Sequence, residues 1–318
     1  MRVGAEDKMG SVARGLLVAL AAFVSVETAG PAQAQEGFGY GAPVARSGDA
    51  SLRRHRNRVW VDLPFFTGAY APGTDAIAFA PYVGARIRAA EALEIELGWG
   101  FPYVSLKDTM TGETNGRFSV GNPYVGLSFA STAPGREIHA GVGMALPVAS
   151  IPDVSTPPTG AELLDAGLAQ AGYWYALGMW GLWDLWLYSA DTFSLVLPAS
   201  IDADVGHALR AGGSVALDVA FPVRTTGGRQ TELFFQLDGY VGYQAAESFG
   251  FGVRLALVLA PTVDTGDRAQ LSLEPFIKAD IDQGFIRVGL LMNLDRPFGF
   301  AFDEGRVWAL RTTIGARF

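Results

Sequence analysis

Histidine and carboxylate side chains are the first candidates for chemistry in this chain, which has 3 His, 32 Asp plus Glu and no Cys among 318 residues. Without Cys, the chain has no disulfides, no thiol catalysis and no Cys-ligated metal. His139 and Glu137 are two positions apart, so on a strand they share one side and could belong to an acid/base site. The plainer alternative is a hydrogen-bonded histidine in a polar interior. His55 and His207 suggest no site, and the sequence predicts no enzyme, no metal and no cofactor.

Aromatic residues form the second group of candidates. The stretch YWYALGMWGLWDLWLY contains Trp174, Trp180, Trp183 and Trp186, and apolar residues recur there at spacings of three and four, which is typical of a helix. We therefore predict a helical, Trp-rich loop over residues 150–190. Two placements remain open: an amphipathic helix on an outer bilayer surface, or a gate folded over or into the mouth of a pore, where aromatic faces would meet apolar or sugar-like ligands.

The elements that must position these residues are strands, because a period of two returns along the chain. Most of the runs have 11 to 16 residues, against about 5 or 6 in a typical globular strand and about 9 to 11 in a strand crossing a bilayer. The twelve runs are 58–66, 76–88, 93–101, 116–130, 135–149, 191–203, 207–222, 231–243, 248–261, 269–280, 284–294 and 306–318.

The gaps between these runs alternate long and short: 9, 4, 14, 4, 41, 3, 8, 4, 7, 3 and 11 residues. Short turns on one side, long loops on the other and an even strand number are typical of outer-membrane barrels. A soluble sandwich, the alternative fold, has no reason to sort its loops by length. The sequence predicts an all-β, twelve-stranded antiparallel up-and-down transmembrane barrel with one helical extracellular loop.

The amino-terminal region predicts export. Residues 1–34 have the parts of a cleaved signal peptide, with Arg14 before an apolar run and a small-residue cleavage site ending at Ala34; Met1 and Met9 are both possible starts. We predict a periplasmic tether over 35–57 and a barrel over 58–318, in the outer membrane of a Gram-negative bacterium. A net charge of −8 argues against a nucleic-acid partner.

Two stretches carry a family resemblance. The alternating last strand, VWALRTTIGARF, ends at Phe318 and resembles the carboxyl-terminal signal of bacterial outer-membrane β-barrel proteins, which implies that the barrel assembly machinery is a partner. GNPYVGL and AGVGMALP resemble the transporter-like barrels that include the putative phenol-degradation meta-pathway family. This second resemblance covers some thirty residues and implies no particular solute.

The phase of the strands places eleven acids and nine bases on the inner face of the barrel. They could be a salt-bridged filling or the lining of a narrow polar pore. The predicted lumen and solute-contacting residues are Glu94, Glu96, His139, Arg210, Asp218, Asp238, Arg254 and Glu274. The sequence thus predicts a channel or transporter-like barrel that passes or binds a small, unidentified solute in outer-membrane lipid. The alternatives are a structural or surface-interaction barrel with a plugged lumen, and a lipid-modifying barrel enzyme.

Overall fold

The structure is a computed structural model that describes residues 57–318, except 72, 134, 207, 225–229, 264–267 and 300–305. The predicted signal peptide and the predicted tether up to residue 56 lie outside the described residues. His55 and His207 also lie outside them.

Fifteen strands and one α-helix make up the described chain. The helix α1 spans Gly160–Met179, and a single 3-10 turn follows at Leu185–Leu187. The strands are β1 Arg58–Ala71, β2 Thr74–Phe79, β3 Tyr82–Arg88, β4 Leu93–Gly100, β5 Tyr103–Asp108, β6 Thr114–Phe118, β7 Tyr124–Ala133, β8 Arg136–Ala145, β9 Thr192–Asp204, β10 Leu209–Pro222, β11 Glu232–Ala246, β12 Phe249–Leu259, β13 Ala269–Ile281, β14 Gly284–Asn293 and β15 Trp308–Arg317.

Six of these strands are halves of three longer ones, which reduces the count to the predicted twelve. β2 and β3 both pair with β1 and are the two halves of one long strand beside it. β4 and β5 are the halves of the next long strand, since β4 pairs with β3 and β5 with β2. β7 and β6 are the halves of the third, since β7 pairs with β4 and β6 with β5. Each break contains a proline, Pro81, Pro102 or Pro123, which has no backbone N–H to donate to a neighbouring strand. The predicted gap of 14 residues between the third and fourth runs is therefore too long, because it contains strand β5.

The sheet closes on itself through its first and last strands. β1 pairs antiparallel with β15, from Arg58 opposite Arg317 to Phe65 opposite Leu310. Every strand except β6, which pairs only with β5, thus has a partner on both sides, as a barrel in hydrocarbon requires. The twelve-stranded antiparallel barrel with one helix is confirmed.

The barrel wall is apolar on its outer face and carries charged residues on its inner face, the opposite of a water-soluble barrel. On β12, Phe251 and Leu255 point outward and are 47% and 48% exposed, whereas Arg254 between them points inward and is 2% exposed. Other strands repeat this pattern, with large apolar side chains outside and charged ones inside. Such an outer surface suits acyl chains, since a water-soluble protein rarely exposes so large an apolar area.

Residues 160–190, which we call the plug, comprise α1, the 3-10 turn and the residues that follow, and they pack against the inner wall of the barrel. α1 begins with a capping box in which the Thr159 side chain accepts from the Glu162 backbone N–H and the Glu162 carboxylate accepts from the Thr159 N–H. The main apolar core joins Trp180, Trp186 and Tyr188 to inward residues of the wall. Placement of this helix on the outer bilayer surface is therefore wrong. Among the described residues, none of the helices combines the length and the apolar character needed to cross a membrane.

Candidate functional site: the plugged lumen

The tip of the plug presents two indole rings to two arginines of the wall. The Arg311 guanidinium lies 4.0 Å from the Trp180 ring centroid, and the Arg254 guanidinium lies 4.7 Å from that of Trp183. Trp180 also packs edge-on against Tyr82. These are cation–π geometries in a site without bulk water, where such contacts are strongest.

The same arginines belong to a central charge network on the wall. Arg311 donates to Asp62 with an Nη2–Oδ2 distance of 2.7 Å, and Arg254 donates to Asp238. Glu274 lies between the two arginines, 3.6 Å from Arg254 and 3.7 Å from Arg311. The edges of the guanidinium groups are thus directed at carboxylates, which leaves their faces for the indoles.

A second charge network surrounds His139. Its Nδ1 is 3.3 Å from Glu94 and its Nε2 is 3.2 Å from Glu137, while Arg86 is 2.9 Å from Glu96 and 3.8 Å from Glu94. Both ring nitrogens face carboxylate oxygens, and only an imidazolium can donate on both sides.

Glu94, Glu137 and His139 also resemble a metal site, because one ligand-type atom of each lies within 4.8 Å of the others. The Arg86 guanidinium already lies against Glu94, however, and a dication there would be repelled by it. The arrangement therefore suits an imidazolium between two carboxylates better than a metal ion.

The plug is held by side chains that bond to its backbone. Asn122, which is fully buried at the break between β6 and β7, donates to the Trp186 and Ser189 carbonyls at 2.8 Å each and accepts from the Ala149 N–H. Asn293 of β14 donates to the Gly178 carbonyl at 2.9 Å. The plug is thus anchored to the wall at two well-separated strands.

Asp184 lies at the innermost turn of the plug, in a left-handed conformation with φ of 53°. Its backbone N–H donates to Gln236, but its carboxylate forms no ion pair within the described part of the chain. Burial raises the pKa of the Asp184 carboxyl to about 7, and the negative charge of Glu96 adds to this effect.

A cavity of about 320 Å³ lies between the plug and strands β9 to β11. Aromatic and aliphatic side chains form most of its lining, and the carboxylate of Glu232 and the amides of Gln170 and Gln230 add polar groups. Among its described lining residues there is no Lys, Arg or His. The volume is within the range typical of small-molecule sites.

Comparisons with known proteins support the fold. No family model matches the chain, and no curated protein sequence matches it. An outer-membrane channel from Pseudomonas putida F1 matches 82% of this chain and 95% of its own, with a TM-score of 0.54 and 9% identity. The NanC porin (82% and 98% covered, TM-score 0.46, 11% identity) and the β domain of the Bordetella autotransporter BrkA (82% and 99%, 0.45, 12%) also match.

The chain therefore shares the β-barrel fold of the Pseudomonas putida protein. At 9% identity the likeness extends to the fold and no further. The finer resemblance to the phenol-degradation meta-pathway family stays a prediction.

The predicted lumen residues all lie on the inner face, but they do not form one site. Glu94, Glu96 and His139 meet in one network, and Asp238, Arg254 and Glu274 meet in the other. Arg210 pairs separately with Asp204, at 3.1 Å. Asp218 is buried without a hydrogen bond among the described residues.

The predicted gate residues divide in the same way. Trp180, Trp183 and Trp186 lie in the buried tip of the plug, whereas Trp174 lines the outer cavity. Sequence reasoning missed Asn122 and Asn293, which hold the plug. The only signal for Asn122 was its position before Pro123, where the strand pattern fails.

Proposed function

We propose that this chain is an outer-membrane barrel that passes a small solute and that the plug is its gate. The observation that carries the proposal is the pair of charged networks on the wall beneath an aromatic plug. A barrel needing only a stable interior would gain from apolar side chains there, because buried ion pairs rarely stabilise more than apolar residues of the same volume. A charged wall is instead useful when the lumen becomes wet.

The contacts of the plug are also of a kind that can be broken and formed again. Besides the apolar packing, they include two cation–π contacts, made by the rings of Trp180 and Trp183, and hydrogen bonds donated by the amides of Asn122 and Asn293. In the proposed cycle the contacts of these four residues break together, and the solute then meets the lumen residues. Trp174 would act at the outer entrance.

The remaining expectations belong to the same proposal. The barrel would lie in the outer membrane of a Gram-negative bacterium after removal of the signal peptide. Phe318, the predicted assembly signal, would be read by the barrel assembly machinery, and the chain would act by passage of a solute and not as an enzyme.

A plugged structural barrel is the second candidate, and the burial of nearly every predicted lumen residue favours it. Conductance in planar bilayers separates the two functions. The full chain would be compared with a variant in which residues 160–190 are replaced by a short Gly-Ser linker, and with one in which the outer turn at 109–113 is replaced in the same way.

We expect stepwise conductance from the plug replacement and none of comparable size from the turn replacement. Because the plug replacement could fail to fold, Asn122→Ala in the full chain provides a second test, with openings more frequent than in the unchanged protein. If both variants fold and neither conducts, the barrel is structural and the proposal is wrong.

A further inference from the structure

Asp218 is the buried group that neither charge network explains. It lies on β10 with 0% of its surface exposed, and neither carboxylate oxygen accepts a hydrogen bond from a described residue. The neighbouring Ser194 hydroxyl could at most supply a neutral donor to it. A buried carboxylate without a compensating charge is costly, so such a group either holds its proton or pairs with a positive group that arrives from elsewhere.

The outer cavity is the route by which such a group would arrive. Ala220, two residues from Asp218 on the same face of β10, lines the cavity, so the two lie about 7 Å apart along the strand. Phe234, which is directly opposite Asp218 on β11, lines the cavity as well. Asp218 is therefore immediately below the cavity floor.

The electrostatics of the cavity favour a cation. Glu232 lines it and is close enough to interact electrostatically with Asp218, so two carboxylates flank its lower part. None of its described lining residues carries a positive charge. The Trp174 indole in its wall adds an aromatic ring with which a cation also interacts favourably.

The upper walls define the rest of the ligand. Tyr173, Trp174, Leu177 and Leu182 of the plug line the cavity together with Phe234 of β11. Together they would enclose an apolar or aromatic body. We propose that the cavity binds a small primary amine whose ammonium group is directed at Asp218 and whose aromatic or aliphatic body lies between the plug and β11.

This inference rests on the proposed function, because it names the class of solute that the barrel would receive. The ammonium group would contact the carboxylate when plug side chains that line the cavity, such as Leu182 and Leu185, change rotamer. Binding is therefore coupled to the segment that closes the lumen.

Three probes of nearly equal size and different charge test the proposal: phenethylammonium, 2-phenylethanol and phenylacetate. Titration calorimetry on the full, folded chain in detergent would measure the affinity of each. We expect phenethylammonium to bind at least about tenfold more tightly than the alcohol, and phenylacetate to bind more weakly than both.

The variant Asp218→Asn retains the shape of the side chain and removes its charge, so it should abolish the preference for the amine over the alcohol. Glu113→Gln, an equal change of charge in an exposed turn away from the cavity, should preserve that preference. Equal or tighter binding of phenylacetate, a preference that survives in Asp218→Asn, or no binding of any probe would overturn the inference. These binding measurements do not depend on conductance. Amine binding can therefore be disproved while the channel function is upheld, and the channel function can be disproved while amine binding is upheld.

Discussion

Replacing Asp184 by an amide, in the variant Asp184→Asn, tests how the plug is held in the lumen. The ordinary pKa of an Asp carboxyl is 3.8, and burial raises the pKa of Asp184 to about 7. Burial is the largest of the causes; Glu96 and Asp238 on the wall also oppose its ionisation, whereas Arg254 and Arg311 favour it. Among the described residues, Tyr82, Tyr124 and Tyr188 also interact electrostatically with it.

The direction of the pH effect follows from linkage. The docked plug holds the Asp184 proton more tightly than a released, solvated plug, so docking is most stable below pH 3.8. It weakens as the pH rises from 3.8 to about 7 and then stays constant. The whole interval corresponds to at most about 4 kcal/mol. Because an amide cannot ionise, Asp184→Asn should dock more firmly than the unchanged chain at pH 8 and equally at pH 4.

Because the chain contains no Cys, a single introduced thiol can report on release of the plug. Ser272 is buried beneath Gly181, so Ser272→Cys should react with maleimide only when the plug leaves. Met110→Cys, at a position 89% exposed, corrects for the reactivity of a free thiol. We expect labelling to rise at least about tenfold between pH 5 and pH 8 with Asp184, and to remain level with Asp184→Asn.

Glu91→Gln, which removes an acid from an exposed turn, is the matched control and should behave like the unchanged chain. The reasoning is refuted if Asp184→Asn and the unchanged chain show the same pH profile. It is also refuted if labelling falls as the pH rises, because that sign would require a docked carboxylate stabilised in its charged form.

Three further changes test the anchor, the outer face and the closure of the barrel. Asn122→Ala leaves buried backbone groups without partners and should weaken docking by about 2 kcal/mol or more, seen as faster labelling of the same reporter thiol. Leu255→Arg, in the middle of β12 and pointing outward, should cost about 2 to 4 kcal/mol in urea unfolding from lipid vesicles, and a cost below that of Leu255→Ala would contradict contact with lipid. Cysteines at Val61 and Ile314, which face each other across β1 and β15, should cross-link on oxidation, and their failure to do so in the folded protein would argue against closure.

The strands could be predicted because their signal is local. Outward residues are mostly large and apolar because they face hydrocarbon, and the inward residues between them include the charged ones, as Leu255 and Arg254 show. Twelve strands follow from counting such runs. The prediction failed where proline interrupted the alternation, so that β5 was taken for a loop although it pairs with β2 and β6.

The arrangement inside the lumen could not be predicted in the same way. Arg311 donates to Asp62 across 249 positions of sequence, and no local pattern links two residues that closure of the barrel brings together. The plug presented a similar difficulty. Its Trp residues suit a bilayer interface as well as a protein interior. The hydrogen bonds by which Asn122 and Asn293 hold the plug go to backbone carbonyls, which leave no trace in side-chain type.

The charge balance of the wall bears on whether the plug can leave. In the central network three arginines, Arg254, Arg287 and Arg311, are matched by three carboxylates, Asp62, Asp238 and Glu274. The wall therefore needs no charge from the plug, and an ionised Asp184 would add an unmatched negative charge to it. When the plug leaves, the network of ion pairs on the wall would become hydrated but would remain neutral. Water would then replace the lost cation–π contacts to the arginines. A lumen built so that it is balanced both with and without its plug is the arrangement expected of a gate, whereas a permanent plug would be expected to supply some of the countercharge itself.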